Sequence, residues 1–169
     1  AWQQLSPASR DFVAQALARH PDHERWIARA RSSEPGAIFV EAATWPDDIR
    51  SDPRFHDEAE DAPARPLAGL PDRARHRTWH YVDVDEHGRP VRGEVDRQIE
   101  RLGRLLRSTA NKDEISHAIP WLVHLVADIH QPLHVGRADD EGGTGVEIEN
   151  PFNKRLPFTS LHTYWDDLP

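Results

Sequence analysis

The sequence has no cysteine, which excludes a disulfide framework, a thiolate zinc site and a cysteine nucleophile. It has no run approaching the roughly 18 apolar residues of a membrane-crossing helix, so an integral membrane reading is excluded and no membrane partner is expected. It also lacks a basic surplus. Its 21 Lys and Arg face 29 Asp and Glu for a net charge of −8, the opposite of the footprint of a protein that grips a duplex backbone by charge alone. No basic stretch followed by an apolar one opens the chain, so a secretory signal is either missing or already removed, and the start at Ala1-Trp2 suits removal.

What the sequence does have is histidine, 11 of them. The charge sum leaves out bound metal, and three divalent cations would add roughly +6 to a local site. With 169 residues, 37% hydrophobic and 30% charged, the chain fits one globular domain.

Helical spacing dominates. Ser6-Pro7 followed by Phe12, Val13, Ala16 and Leu17 predicts a helix over 6–19, broken at His20-Pro21. Trp26, Ile27 and Ala30 predict a second, short helix, and a third is expected over 37–44, with Pro46 leaving Asp47 and Asp48 at the mouth of a loop. Residues 51–76, rich in proline and charge without a period, read as a long surface excursion. Residues 79–84 read as extended. Val95, Ile99, Leu102 and Leu106 mark a fourth helix. The stretch 115–129, with Ile119, Leu122, Val123, Val126 and Ile129, reads as a buried central helix that Pro120 starts or kinks. Gln131-Pro132 ends it, Gly142-Gly143 and Gly145 mark a loop, and 160–168 is either a helix or an extended tail. The fold class expected is mainly α, a single helical domain with little or no sheet.

Two polar groups interrupt the apolar helix, His124 and Asp128, four apart and so on one face. His162 and Asp166 repeat the spacing. About one such pair is expected by chance in this composition, so context must decide between a metal site and a hydrogen-bonded His-Asp pair in the core. His134 after Gln131-Pro132, His80 between aromatics and Asp47 at a helix end add nitrogen and carboxylate donors, the set that suits zinc. His56, His76, His87 and His117 sit among charges and read as solvated, whereas Trp26, Trp79 and Trp121 read as core.

Four stretches then occur in one order: Trp45-Pro46-Asp47-Asp48-Ile49-Arg50, His80-Tyr81, His124 through Asp128 to Gln131-Pro132-Leu133-His134, and Leu161-His162 to Trp165-Asp166. The chain thereby resembles the zinc-dependent single-strand-specific nuclease family, the fungal nuclease S-one/P-one type with plant and bacterial relatives, which is related to zinc phospholipase C. The resemblance implies that family's helical fold. It also implies a first zinc held by Asp47, His80, His124 and Asp128, and a second held by His134, His162 and Asp166. A third would share Asp128 and use the backbone of Trp2. Here Ala1 precedes Trp2, and Pro7 stands where the family has a further histidine ligand, for which His20 or His23 is the candidate replacement. Relative to the family the chain reads as shortened in the first helix and at its C-terminal end.

The implied chemistry is attack of water on phosphorus, with Asp47 orienting the water and Arg50 neutralising the charge that develops. Tyr81 would stack a base and Asp83 contact its edge; Glu141-Gly142-Gly143-Thr144 stands where the family has an apolar clamp followed by Gly-Gly-Asn. The expectation is a zinc-dependent phosphodiesterase with two or three Zn ions, hydrolysing single-stranded RNA and DNA to 5′-nucleotides, with 3′-nucleotidase activity beside it. A phospholipase C-like enzyme and a catalytically weak metal-binding remnant are the alternatives. A secreted or periplasmic monomer is expected from the resemblance.

Overall fold

Ser6 opens the first helix by accepting a hydrogen bond from the Ser9 N–H at 3.1 Å, and Pro7 follows in the first turn, where no N–H is needed. This is α1, Pro7–Leu17, the first of seven α-helices among the residues that the computed structural model describes, 1–151 and 153–168. Short 3-10 turns and two small two-stranded antiparallel sheets complete the described chain. The chain is therefore mainly α, as the spacing predicted.

Helix α2 (His23–Ala30) ends on Arg31 in the left-handed conformation. Helix α3 (Pro35–Ala43) begins two residues before the expected start, because Pro35 takes its first turn. Pro46 does not open a loop. It sits in the first turn of α4 (Trp45–Asp48), where its missing N–H leaves no carbonyl unpaired, so Asp47 and Asp48 are helical rather than loop residues. The stretch 51–76 is irregular, as expected, with isolated bridges such as His56 with Ala74, but it is not wholly a surface excursion: Phe55, Leu70 and Ala74 are buried.

The extended reading of 79–84 holds only at its end. Arg77–His80 is a 3-10 turn and β1 is Val82–Val84. Adjacent Trp79 and His80 are both buried, which a strand with one solvated face cannot achieve because its side chains alternate. Strand β2 (Pro90–Gly93) pairs antiparallel with β1, Asp83 opposite Arg92, and leads into α5 (Val95–Ser108).

Helix α6 (Lys112–Asp128) starts earlier than Pro120 predicted, since Asn111 Oδ1 accepts from the Asp113 N–H at 3.0 Å and so caps the helix; Pro120 lies inside it. Its centre is buried throughout from Ser116 to Trp121, but Val126 is 40% exposed, so the last turn is not the all-round core that its apolar sequence suggested. A 3-10 turn at Pro132–Val135 follows. Strands β3 (Glu147–Glu149) and β4 (Phe158–Ser160) form a hairpin that runs directly into α7 (Leu161–Asp166), capped by Ser160 accepting from the Thr163 N–H at 3.0 Å. The segment 160–168 is thus helical over most of its length.

The residues gather into two compact units, one of Ala1–Arg77 with Ile99–His124, the other of Thr78–Gln98 with Leu125 onward. In the first, α1 and α2 pack on α3 around an aromatic core in which Trp45 meets Phe55, His117 and Trp121 edge to face at ring separations of 5.6, 5.4 and 6.1 Å. In the second, β1 lies between β2 and residues 136–138, with Val84 N–H donating to Gly136 and Ala138 N–H to Val84.

Candidate metal centre

The aromatic pair Trp45 and Trp121 aligns α4 with α6 in the first unit, and each carries a donor a few residues on. Trp45 is fixed further by its Nε1–H, which donates to Asp22 at 2.7 Å, while Arg54 holds the same carboxylate. Asp47 follows two residues later with its side chain about half exposed, and Arg50 lies 3.1 Å from it, one turn along. His124, three residues after Trp121, is buried, and its Nδ1 lies 2.8 Å from the Ala43 carbonyl. A carbonyl only accepts, so Nδ1 carries the hydrogen and the lone pair is on Nε2. That Nε2 points to Asp47 Oδ1 at 3.7 Å.

The second unit builds the same arrangement twice. His134 leaves the 3-10 turn after Pro132 and donates from Nδ1 to the His80 carbonyl at 2.8 Å; His162 in α7 donates from Nδ1 to the Gly142 carbonyl at 2.9 Å. Their rings stack 4.9 Å apart. Both Nε2 atoms face the carboxylate of Asp166, at 3.7 and 3.5 Å, and Gln131 steadies that carboxylate with a hydrogen bond of 2.8 Å. One ligand atom from each of His134, His162 and Asp166 lies within 4.8 Å of the others.

His80 and Asp128 also meet in the second unit, Nδ1 to Oδ2 at 3.0 Å, with His134 Nδ1 at 3.6 Å from the other oxygen of Asp128. Of the four residues expected around a first metal, Asp47 and His124 are brought together in one unit and His80 and Asp128 in the other. In α6, Asp128 follows His124 by one turn.

These spacings fit a divalent cation. Ligands about 2.0–2.2 Å from a tetrahedral zinc lie roughly 3.3–3.6 Å from each other, whereas a direct N–H to carboxylate bond is about 2.7–2.9 Å. The Nε2 to carboxylate distances of 3.5 to 3.7 Å lie at or just above the former, whereas His80 to Asp128 at 3.0 Å is close to the latter. Main-chain carbonyls on Nδ1 fix the ring orientation and the tautomer in which Nε2 can ligate.

Tyr81 and Asp83 flank the start of β1. Asp83 is buried, and Arg92, opposite it across the hairpin, donates two hydrogen bonds of 2.8 and 2.6 Å to its Oδ2. Trp2 packs its ring 5.3 Å from Phe39, and its carbonyl accepts from the Leu5 N–H at 3.2 Å. His20 is stacked between Trp26 and Trp45, and burial pushes its imidazole down to about 3.

Two of the histidines that read as solvated in the sequence, His76 and His117, are buried. His117 lies against Trp45, and desolvation lowers its pKa to about 4. His76 is held between Asp72 and Glu58, 2.8 Å from each, which supplies the partners a buried imidazole needs; burial alone would raise Asp72, but hydrogen bonds from His76 and Ala74 hold it well below the usual carboxylate range. Arg92 went unremarked in the sequence. The turn signal His87-Gly88-Arg89-Pro90 was the cue that could have placed it opposite Asp83.

The S1/P1 Nuclease family model matches residues 1–168. Nuclease S1 from Aspergillus oryzae (strain ATCC 42149 / RIB 40) is 23% identical over 176 residues, covering 98% of this chain and 53% of that protein. Endonuclease 1 from Arabidopsis thaliana is 29% identical over 125 residues, 59% of this chain and 40% of its own length. Endonuclease 4 from the same plant is 39% identical over 70 residues, 38% of this chain and 22% of its own. The chain therefore spans about half or less of the length of these relatives. With a family match over nearly every residue and the ordered His and Asp donors within it, the chain belongs to the S1/P1 nuclease family.

Proposed function

We propose that the chain is a nuclease-like domain of a zinc-dependent phosphodiesterase that hydrolyses single-stranded RNA and DNA to 5′-nucleotides, with 3′-nucleotidase activity at the same site. The observation that carries this reading is the repeated imidazole geometry: Nδ1 committed to a main-chain carbonyl, Nε2 held 3.5 to 3.7 Å from a carboxylate, at His124, His134 and His162. His134, His162 and Asp166 would hold one zinc, and the remaining candidate ligands are Asp47 and His124 in the first unit and His80 and Asp128 in the second.

When bound, zinc supplies Lewis acidity, making water acidic enough to attack at neutral pH and offsetting the charge of the phosphate. The chain's own residues do the rest. Asp47 carries an exposed carboxylate that can accept the proton of the attacking water, and Arg50 holds a planar guanidinium 3.1 Å from it, where charge on phosphorus develops. Asp166 is kept in place by Gln131, so the donor set of α7 is oriented before substrate arrives.

Incubation of the zinc-loaded chain with single-stranded RNA, duplex RNA and phosphatidylcholine tests the proposal. Release of 5′-phosphorylated nucleotides from the single strand, abolished by a chelator, is the expected result. Hydrolysis of the lipid alone would move the assignment to a phospholipase, and inertness toward all three by a fully loaded protein would make it a metal-binding remnant. In this reading Arg50→Ala lowers kcat roughly 10²–10³-fold with KM little changed, because its charge meets one that exists only in the transition state.

A further inference from the structure

We propose that Arg92 is a specificity-determining residue: its guanidinium occupies the base site formed by Tyr81 and Asp83 and keeps that site tolerant of base identity. The inference rests on the nuclease reading above and adds a residue that the reading does not use.

The hairpin places the group by register. Asp83 and Arg92 are direct partners across β1 and β2, so their side chains leave the same face of the sheet. The pairing is close because residue 93 is glycine: with φ at +83°, a Cβ there would lie 2.2 Å from the Tyr81 carbonyl oxygen. That same carbonyl accepts from the N–H groups of Glu94 and Val95 at 2.7 and 3.1 Å, so the strand, the glycine and the start of α5 fix Tyr81 and Arg92 together.

Asp83 is almost wholly buried, and a carboxylate there needs a countercharge. Arg92 supplies it through Nε and a terminal nitrogen, both on Oδ2, and its Cζ sits 5.7 Å from the Tyr81 ring centroid. Glu141 also bears on Arg92 by its charge. The other oxygen of Asp83 opens toward Gly142, where a Cβ would lie 3.5 Å from Oδ1 and 3.8 Å from His162 Nδ1. Asp83 and His162 of the second donor set thus both border Gly142 inside one unit.

A base stacking on Tyr81 must displace the guanidinium from that ring and replace charge-assisted hydrogen bonds to Asp83 with neutral N–H donors. The exchange is unfavourable for every base. Binding then rests on phosphate and metal contacts, and base identity contributes little. The side chain of Arg92 is nearly half exposed, so it can swing clear without disturbing the sheet.

The test compares the zinc-loaded chain with Arg92→Ala and Arg92→Gln by calorimetric titration with 5′-AMP, 5′-GMP and ribose 5-phosphate. Gln keeps a donor for Asp83 if the Ala variant fails to fold. The affinity ratio of nucleotide to ribose 5-phosphate isolates the base. The expected ratio is near one for the unmodified chain and about tenfold higher in the variants, returning to one when Tyr81→Ala is added. An unchanged ratio, or a base contribution that is already large and falls on substitution, overturns the proposal. Cleavage of single-stranded RNA is followed in parallel: persistent cleavage with an unchanged ratio sinks only the role of Arg92, whereas absence of cleavage from the unmodified chain sinks the nuclease reading itself.

Discussion

His124, His134 and His162 each tie Nδ1 to a main-chain carbonyl that lies far away in sequence, those of Ala43, His80 and Gly142. The candidate donors themselves stand out by residue type, four-residue spacing and order along the chain. Their orienting partners do not, because a backbone carbonyl carries no sequence signature and is chosen by tertiary packing. The same limit explains His76, held by Asp72 and Glu58 of an irregular segment, and His117, buried against Trp45. In the proposed site Asp128 is the carboxylate shared between ions; His80 Nδ1 lies 3.0 Å from one of its oxygens and His134 Nδ1 3.6 Å from the other. Asp128→Ala is therefore expected to lose more than one zinc and all hydrolysis, read by metal analysis beside activity; full metal retention would return the buried His-Asp pair as the better account. His20 and His117 supply a separate prediction about acid. Burial depresses their pKa values from 6.5 to about 3 and about 4, so the folded state holds them neutral. Their contribution is complete above pH 6.5 and is lost as pH falls toward 4 and then 3. The unfolding free energy of metal-free protein, measured with urea, should drop across that window, on the order of 3 kcal/mol for His117, and His117→Gln should flatten the drop. An equal slope in that variant would remove His117 from the explanation.

Among the elements, helices were the most legible and strands the least. Helix α5 shows its apolar residues at helical spacing, and α1 announces itself by Ser6-Pro7. Strands β1, β3 and β4 are three residues long and β2 four, too short for alternation to emerge from a sequence, and β2 opens on a proline. Helix α4 was hidden by the ambiguity of Pro46, which ends one helix or begins another with equal ease. Arg29 in α2 makes α4 the position where Asp47 is held: it bonds Asp48, Glu41 at 2.9 Å and Thr44 at 3.1 Å, joining α2, α3 and α4. Arg29→Ala should cut activity more than stability, since these contacts are partly exposed and surface ion pairs contribute about 1 kcal/mol or less each. A melting shift of more than about 10 °C would show a structural clamp instead. Gly93→Ala tests the β1–β2 hairpin. A Cβ 2.2 Å from the Tyr81 carbonyl, at φ +83°, forces the strands apart, and thermal melting should fall by several degrees; a neutral effect would show that the close approach is unimportant.

At the scale of the whole molecule, the proposed function reconciles acidity with an anionic substrate through metal. A net charge of −8 opposes nucleic acid, and two or three divalent cations among the histidines would reverse that locally. The charge sum, the absence of cysteine and the surplus of histidine already suggested this balance in the sequence, but the pairing of each imidazole with its carboxylate required the fold. The central claim is that these pairs are zinc sites rather than core hydrogen bonds. The most direct measurement is zinc bound per chain after stripping, reconstitution and exhaustive dialysis, by mass spectrometry, for the unmodified protein and His162→Ala. At least two zinc ions in the former and one fewer in the latter are predicted, because α7 would lose a ligand to one ion alone. Equal metal content in the two proteins, or none in either, would contradict the account.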